Sequence, residues 1–349
     1  MLIAKDSSGQ YVLLDGRYSR QQLKKWQTER TFFCPQCHEP LLLKVGKRKI
    51  PHFAHYQRSV CSTYLAEAES KEHLQAKIDL YHFFRQFTEV KVEYFLSNIE
   101  QIPDLLVQWN NEWFPVEYQK SRISLELWSK RTAMYKKANM RPFWMFYPPK
   151  RWRNYQVSRR RISQWYQQFF YTSNDRNRAI AYSPESRSFL YIERLVHLQN
   201  EQFLLRITPL SMKQQTFPFQ PSPPITHQEV KRLTQLYLFS RYQYVKHSYR
   251  YNREGVQQPV LRYLYDYRLN ELPPFIGVPF PNQHYFLEHD VLWQILALEG
   301  PWPSHWTTRQ RKIAYQYVEW VRKSEPIHSN MSEVFSIFQK RFLAKRFQD

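Results

Sequence analysis

Two apolar runs flank an asparagine pair in residues 103–121, which read PDLLVQWNNEWFPVEYQKS. The asparagines at 110–111 tolerate positive φ, so this pattern predicts a β-hairpin closed by a two-residue turn. In that register Asp104 lies directly opposite Glu117. Side chains alternate along each strand, which places Asp104, Glu117 and Gln119 on one face and leaves an apolar face that we expect to be buried.

The facing acids of this hairpin need compensation, because like charges directly opposite each other destabilise a sheet. A shared proton would serve, and so would a cation. Mg²⁺ is commonly held by one or two carboxylates together with substrate phosphate. The alternative is a surface hairpin with solvated acids and a register displaced by one residue. Pro115 leaves this alternative open, since proline cannot donate to a strand ladder and favours edges or bulges.

Helical and strand-like patterns surround the hairpin. Residues 69–87 and 123–138 predict two helices. Residues 90–96 alternate as a strand, and the continuous apolar run at 143–147 is typical of a strand buried on both faces. The predicted order is therefore helix, three strands, helix, strand.

The first of these helices has an apolar and a polar side. Leu74, Ile78 and Tyr81 recur at helical spacing and are expected to pack inward. Polar residues lie on neighbouring turns of the other side, where residues three and four apart meet. They are Glu69, Glu72, His73 and Lys77. Taken alone, they are typical of an ordinary solvated, salt-bridged helix face.

Cysteines and histidines near the start of the chain follow a metal-binding pattern. The spacing is C-x2-C-x14-H-x2-H-x5-C, formed by Cys34, Cys37, His52, His55 and Cys61. A C-x2-C pair presents two thiolates, and two ligands from beyond a hairpin complete a tetrahedral, structural zinc site. The histidines are closer together than usual, so a single histidine with Cys61 would also serve. The alternative is a metal-free hairpin with buried thiols.

The composition is that of a folded protein of two or three domains. Of 349 residues, 42% are hydrophobic and 17% aromatic, and only 6 are glycine, so low-complexity disorder is not expected. No apolar run is long enough for a membrane span or a secretory signal, which predicts a cytoplasmic protein. Three cysteines do not make a disulfide framework.

Charge is distributed unevenly along the chain. The formal net charge is +21, of which residues 1–66 carry +7, residues 67–150 carry +1 and residues 151–349 carry +13. Basic flanks around a balanced, acid-bearing centre suit a polyanion substrate, whose phosphates the flanks would hold. The alternative is a ribosome-associated or nonspecifically adhesive basic protein.

The junction at 150–161, KRWRNYQVSRRR, interleaves cations with aromatic rings. Arginine and aromatic side chains together suit a nucleic-acid strand, through phosphate pairing and base stacking. The candidate binding residues are Lys150, Arg151, Arg153, Arg159, Arg160 and Arg161. A solvated linker helix is the competing interpretation. Residues 211–227 are rich in proline and predict a linker or long loop, and the patterns beyond them are helical.

The element order, with one acid on the second strand and another on the third, resembles the PD-(D/E)xK nuclease superfamily. The matching residues are Pro103-Asp104 and Glu117-Tyr118-Gln119. More narrowly, the chain resembles the competence protein CoiA family of naturally transformable Gram-positive bacteria. The features that carry this resemblance are FFCPQC, IPHFAH, ESKEHLQAK, IPDLLV and PVEYQKSRIS, in that order.

The resemblance implies a role for each matching residue. Asp104 and Glu117 would coordinate Mg²⁺ or Mn²⁺, with Glu72 of the first helix joining them directly or through water. Gln119 stands where the superfamily often has lysine. Lys77 is the better substitute, because Lys120 alternates away from the acid face.

The expected architecture is α/β, with a restriction-endonuclease-like αβββαβ core in 67–150. A small N-terminal β, zinc-ribbon-like domain precedes it in 1–66, and a basic, mainly helical domain follows in 151–349. The expected function is metal-dependent cleavage of DNA, single-stranded or branched, during uptake or recombination of transforming DNA. The second hypothesis is a catalytically silent mediator that binds single-stranded DNA, a recombinase or its loader. A third is an RNA-binding protein.

Overall fold

A small antiparallel sheet is built from the beginning of the chain. The structure, a computed structural model, describes residues 1–56, 61, 69–152, 156–173, 176–220, 223–250, 259–267 and 271–323. The sheet has the order β2-β1-β3-β4-β5. Its elements are β1 (Ile3–Asp6), β2 (Tyr11–Leu13), α1 (Arg20–Glu29), β3 (Phe32–Phe33), β4 (Pro40–Lys44) and β5 (His52–His55). The Ser19 side chain caps α1 by accepting a hydrogen bond from the backbone N–H of Gln22.

The next elements follow the predicted order of helix, three strands, helix, strand. They are α2 (Lys71–Phe84), β6 (Val90–Val92), β7 (Leu105–Trp109), β8 (Glu112–Gln119), α3 (Leu125–Lys137) and β9 (Phe143–Phe146). Strands β6, β7 and β8 are antiparallel, and β9 pairs with β8 in parallel. The parallel pair needs the crossover that α3 supplies.

The hairpin between β7 and β8 has the predicted register. Trp109 pairs with Glu112, and Leu105 pairs with Val116. The turn residues at 110–111 have φ values of 50° and 62°, the left-handed region that asparagine tolerates. Pro115 does not displace the strands, and Asp104 accordingly stands opposite Glu117 just before β7 begins.

The sheet does not end at β9. It continues in the order β9-β12-β13-β14-β10, and β11 pairs with the first residues of β12. These elements are β10 (Ser158–Arg161), α4 (Gln164–Gln167), β11 (Tyr171–Ser173), β12 (Arg176–Ser183), β13 (Ser188–Gln199) and β14 (Gln202–Ser211). The boundary predicted at residue 150 therefore falls inside one continuous sheet. Charged residues within the strands, such as Glu193 and Arg206, interrupt the apolar pattern of this region in the sequence.

The two faces of the large sheet bury different partners. One face packs against α2 and the small N-terminal sheet, and its core includes Leu74, Val107 and Tyr182. The other face packs against α3 and α4, with Trp144 and Leu205 in its core. The proline-rich segment that follows β14 crosses the first face, where Phe217 and Phe219 contact Phe84 of α2.

Helices make up the rest of the described chain. They are α5 (His227–Arg250), α6 (Pro259–Asp266), α7 (Asp290–Glu299) and α8 (Thr308–Lys323). Buried Arg206 of β14 joins them to the sheet, because it pairs with Glu193 of β13 and Glu229 of α5. Within the described ranges, no helix combines the length and the apolar character that crossing a membrane requires.

Candidate functional site

Asp104 is the residue on which a polar cluster converges beside the large sheet. Its Oδ2 accepts a hydrogen bond from the backbone N–H of Tyr118 at 2.8 Å, which fixes the carboxylate against β8. Its Oδ1 lies 3.0 Å from Nε2 of His73 in α2. The short strand pair therefore holds Asp104 at the start of β7 and turns it toward α2.

The side of α2 that faces Asp104 carries residues spaced four apart. Glu69 lies just before the helix, which Ser70 caps, and its Oε1 is 3.3 Å from Nε2 of His73. Lys77, one turn further on, is 2% exposed and donates to Glu69. The Lys77 Nζ is also 2.5 Å from Glu93 and 3.6 Å from Asp104. Three carboxylates thus surround one buried ammonium group.

Opposite charges fix the ionisation of this group of side chains. We call it the acidic cluster, and it consists of Glu69, His73, Lys77, Glu93 and Asp104. Burial disfavours the charged form of Asp104, but the positive charges of His73 and Lys77 outweigh it and lower the pKa of the carboxyl. Burial likewise opposes protonation of His73, yet the Asp104 and Glu69 carboxylates raise its pKa. The carboxylates therefore remain ionised at neutral pH, as ligands for a cation must be.

Glu117 stands opposite Asp104 but is held by the other helix. Its Oε1 accepts hydrogen bonds from the hydroxyl of Tyr135, at 2.5 Å, and from the guanidinium of Arg131. Burial raises the pKa of Glu117 to about 7, although Arg131 favours the charged form. The two acids thus have the predicted register, with Asp104 engaged by α2 and Glu117 engaged by α3.

The helix residues near Asp104 differ from the one expected. Glu72, predicted to join the acids, forms a partly exposed ion pair with Lys120. Glu69 and His73 occupy the place beside Asp104 instead, and Lys77 lies with them rather than on a solvated face. Helical spacing of four marks these three residues in the sequence, but no sequence signal indicated Glu93. Gln119 is buried at the end of β8, on the Glu117 side.

Ligand atoms of Glu69, His73 and Asp104 all lie within 4.8 Å of one another. Carboxylate oxygens suit Mg²⁺ and Mn²⁺, and an added imidazole is acceptable to Mn²⁺. The donor set therefore fits Mg²⁺ or Mn²⁺, but it joins Glu69 and His73 to Asp104 in place of the Glu117 and Glu72 that the resemblance implies. The nearby ammonium of Lys77 partly offsets the negative charge that would attract it.

A second cluster contains the cysteines of the N-terminal sheet. Ligand atoms of Cys34, Cys37, His55 and Cys61 lie within 4.8 Å of one another, and Cys37 Sγ is 3.3 Å from Nε2 of His55. None of the three cysteines forms a disulfide bond, and Cys34 and Cys61 are buried. Three sulfurs and one imidazole make a closed tetrahedral set of the kind that structural zinc prefers.

The structure distinguishes between the two histidines that the sequence left as alternatives. His52 and His55 stand at opposite ends of β5 and project to different faces, since side chains alternate along a strand. Nδ1 of His52 donates to the carbonyl oxygen of Ile50 at 2.8 Å, away from the thiols. His55 is therefore the histidine of this cysteine–histidine cluster.

The predicted basic junction is divided between a turn and a strand. Lys150 and Arg151 lie in a short 3-10 turn after β9, and 159–161 form the edge strand β10 in place of the linker helix considered above. Arg161 pairs with Glu201. Arg153 lies outside the described residues.

Two family models match the chain. The N-terminal domain of competence protein CoiA matches residues 16–64, and its nuclease-like domain matches residues 69–222. The competence protein CoiA of Bacillus subtilis (strain 168) is 34% identical over 188 residues, which cover 52% of this chain and 47% of that protein. The chain thus spans about half the length of this curated relative. No solved structure matches it.

Proposed function

Because the chain belongs to the competence protein CoiA family, we propose that it is a metal-dependent deoxyribonuclease with a restriction-endonuclease-like core. The observation that carries this proposal is the convergence of Asp104 with Glu69 and His73 at the start of β7. The order of helices and strands around β8 supports it, since the acids stand on the second and third strands as in the PD-(D/E)xK pattern.

The acidic cluster supplies what phosphodiester hydrolysis requires. Glu69, His73 and Asp104 would hold Mg²⁺ or Mn²⁺, which when bound offsets phosphate charge and lowers the pKa of a water molecule. Lys77 places a fixed positive charge 3.6 Å from Asp104, where it stabilises charge that develops on the phosphate. Glu117, whose pKa lies near 7, can accept or donate a proton at its carboxyl oxygen at neutral pH.

The cysteine–histidine cluster is proposed as a structural zinc site. Its four ligands leave no open position for a substrate, so it would stabilise the small sheet rather than take part in hydrolysis. The small sheet contacts the acidic cluster directly, because Glu93 accepts hydrogen bonds from the backbone N–H groups of Leu2 and Ile3. Order in the small sheet would therefore help to position Glu93 and Lys77.

DNA is the proposed substrate, single-stranded or branched, taken up or recombined during competence. The basic segments on both sides of the core motivate this choice, since they would bind the phosphate backbone. A recombinase or its loader is the proposed protein partner.

A catalytically silent DNA-binding mediator is the second candidate function. Gln119 stands where lysine is frequent in the superfamily, and glutamine cannot supply positive charge. Lys77 is already engaged by Glu69 and Glu93, which restricts its movement toward a phosphate. On this alternative, DNA binding would persist with steep salt dependence while no metal supported turnover.

Cleavage of labelled DNA by purified protein distinguishes the two candidates. Single-stranded, duplex and branched substrates are incubated with Mg²⁺ or Mn²⁺ and wild type, Asp104→Asn, Glu69→Gln or Glu72→Gln. We expect cleavage by wild type, a loss of roughly 100-fold or more in the first two variants, and near-wild-type rates in Glu72→Gln. Equal cleavage by Asp104→Asn would refute the assigned site, and no cleavage in either metal would favour the mediator.

A further inference from the structure

A pair of arginines occupies the far half of the large sheet, on the face covered by α4. Arg194 of β13 pairs with Leu205 of β14, and Arg160 of β10 pairs with Phe203. Leu205 and Phe203 are two residues apart and share one face of β14, so both arginines lie on that face. The two arginines therefore lie on the two strands that flank β14, on either side of Phe203.

Arg194 is largely buried and has no acidic partner among the described residues. Its guanidinium lies over the rings of Phe170, 4.4 Å from the centroid, and Phe203, at 5.3 Å. Its Nε donates to Asn177. Burial lowers the pKa of Arg194 to about 10, because removing a cation from water is unfavourable. Buried charges in proteins are usually paired, so an anion would complete the surroundings of this arginine.

Arg160 likewise has no acidic partner in the part of the chain that the structure describes. Nη1 of Arg160 donates to the backbone carbonyl of Arg159 at 3.2 Å, and its Nε is buried without a hydrogen-bond acceptor in the described chain. Gln168, next to α4 and two residues from Phe170, has a buried side-chain amide that is also unpartnered there. Such groups are few in native proteins and call for an explanation.

We infer that Arg194 and Arg160 form a second anion site, which binds the phosphate backbone of a nucleic-acid strand. Arginine is suited to phosphate because its planar group donates two parallel hydrogen bonds. Further cations adjoin the pair, since Arg159 and Arg161 are exposed on the same edge strand as Arg160. A row of cations matches the regularly spaced phosphates of a nucleic-acid strand, which favours such a strand over an acidic protein segment.

This site lies away from the acidic cluster. Phe146 pairs with both Gln119 and Ala181, and Asn177, opposite Arg194, comes four residues before Ala181. Four residues of strand span about 13 Å, and the three strand spacings from β8 to β13 add about 14 Å across the sheet. The separation is therefore roughly 20 Å, and binding here does not depend on cleavage.

Fluorescence anisotropy with a labelled oligothymidylate tests this inference. The full chain is titrated over a range of salt concentrations without added divalent cation, in the Asp104→Asn background, so that cleavage cannot contribute. We expect Arg194→Gln to weaken binding by roughly tenfold and to reduce the slope of log K against log salt by about 1. The double variant Arg160→Gln/Arg194→Gln should reduce the slope by about 2.

Two further variants separate loss of the site from loss of the fold. Arg194→Lys keeps the charge but not the planar stacking group, so binding should be intermediate. The exposed Arg262 of α6 pairs with Glu299 of α7 and serves as the control. Its variant Arg262→Gln should bind as the Asp104→Asn parent does. Unchanged affinity and salt slope in folded Arg194→Gln would overturn the inference. Preferential competition by polyglutamate over unlabelled oligothymidylate would also overturn it, in favour of an acidic protein partner.

Discussion

Lys77 sets the charge of the acidic cluster at the scale of single residues. It is buried among Glu69, Glu93 and Asp104, and these carboxylates raise its pKa in spite of burial. Its ammonium therefore stays protonated and offsets part of the negative charge that would otherwise repel within the cluster. A divalent cation would carry out the same compensation more strongly.

Replacing Lys77 should make stability depend on divalent metal. In Lys77→Met, three carboxylates lose a buried partner, so we expect the free energy of unfolding to fall by about 3–5 kcal/mol without metal. Mn²⁺ should restore part of this loss by binding the folded state. Thermal unfolding with and without Mn²⁺ measures both effects.

The matched control for this substitution is Lys120→Met. Lys120 forms a partly exposed ion pair with Glu72, which contributes about 1 kcal/mol. A Lys77→Met protein as stable as this control, with no response to Mn²⁺, would show that Lys77 does not compensate a metal site.

Glu117 should make stability depend on pH. Burial raises its pKa from 4.5 to about 7 in the folded chain. The stability that protonated Glu117 contributes is therefore fully present below pH 4.5 and is lost as pH rises through 7. Glu117→Gln does not titrate. Between about pH 5 and about pH 8, wild type should therefore lose stability relative to Glu117→Gln.

Urea unfolding of the two proteins at both pH values measures this difference, and other titrating groups cancel in the comparison. A stability difference that is the same at pH 5 and pH 8 would mean that Arg131 and Tyr135 keep Glu117 ionised throughout.

At the scale of elements, the register of the hairpin could be predicted from sequence, whereas the burial of the acidic cluster could not. The asparagine pair at 110–111 determines the register locally, because few residues tolerate both positive φ values. The polar residues Glu69, His73 and Lys77 lie opposite the apolar side of α2 and are typical of a solvated helix face. Lys77 is buried and the other two are partly buried, because the N-terminal sheet covers the helix as well as the large sheet does, and such packing is not visible in local periodicity.

The strands beyond residue 150 were missed for a related reason. The sequence SRRR of β10 has no apolar position, and it becomes a strand because it pairs with β14 at the sheet edge. The position of Glu93 beside Lys77 was equally hidden, since it depends on contacts between residues distant in the chain.

The cysteine–histidine cluster gives a prediction for the small sheet. His55→Ala should abolish stoichiometric zinc and destabilise the N-terminal sheet, because three thiols no longer complete a tetrahedral site. His52→Ala should retain zinc, since His52 contacts the Ile50 carbonyl instead. Metal analysis of protein purified without chelator, together with thermal unfolding, tests this pair, and equal zinc content in both variants would contradict the assignment.

At the scale of the whole molecule, Arg206 connects the large sheet to the helical region. It is 5% exposed, and besides Glu193 and Glu229 it donates to the carbonyl oxygens of Pro223 and Pro224. One buried side chain thus fixes the end of the proline-rich segment and the start of α5.

Removing this connection should loosen the helical region. Arg206→Gln leaves Glu193 buried without its partner, so we expect a loss of about 3–5 kcal/mol in unfolding free energy and faster limited proteolysis within 211–227. Arg322→Gln, which removes an exposed arginine paired with Glu319, is the control and should change stability by less than about 1 kcal/mol. Equal proteolysis rates in the two variants would show that Arg206 does not join the two regions.

Binding of Mn²⁺ measured by electron paramagnetic resonance tests most directly whether Asp104, Glu69 and His73 form a divalent-metal site. Wild type and Glu72→Gln should each bind Mn²⁺ at this site, and Asp104→Asn and Glu69→Gln should lose that binding while remaining folded. Equal Mn²⁺ binding by wild type and Asp104→Asn would contradict the account.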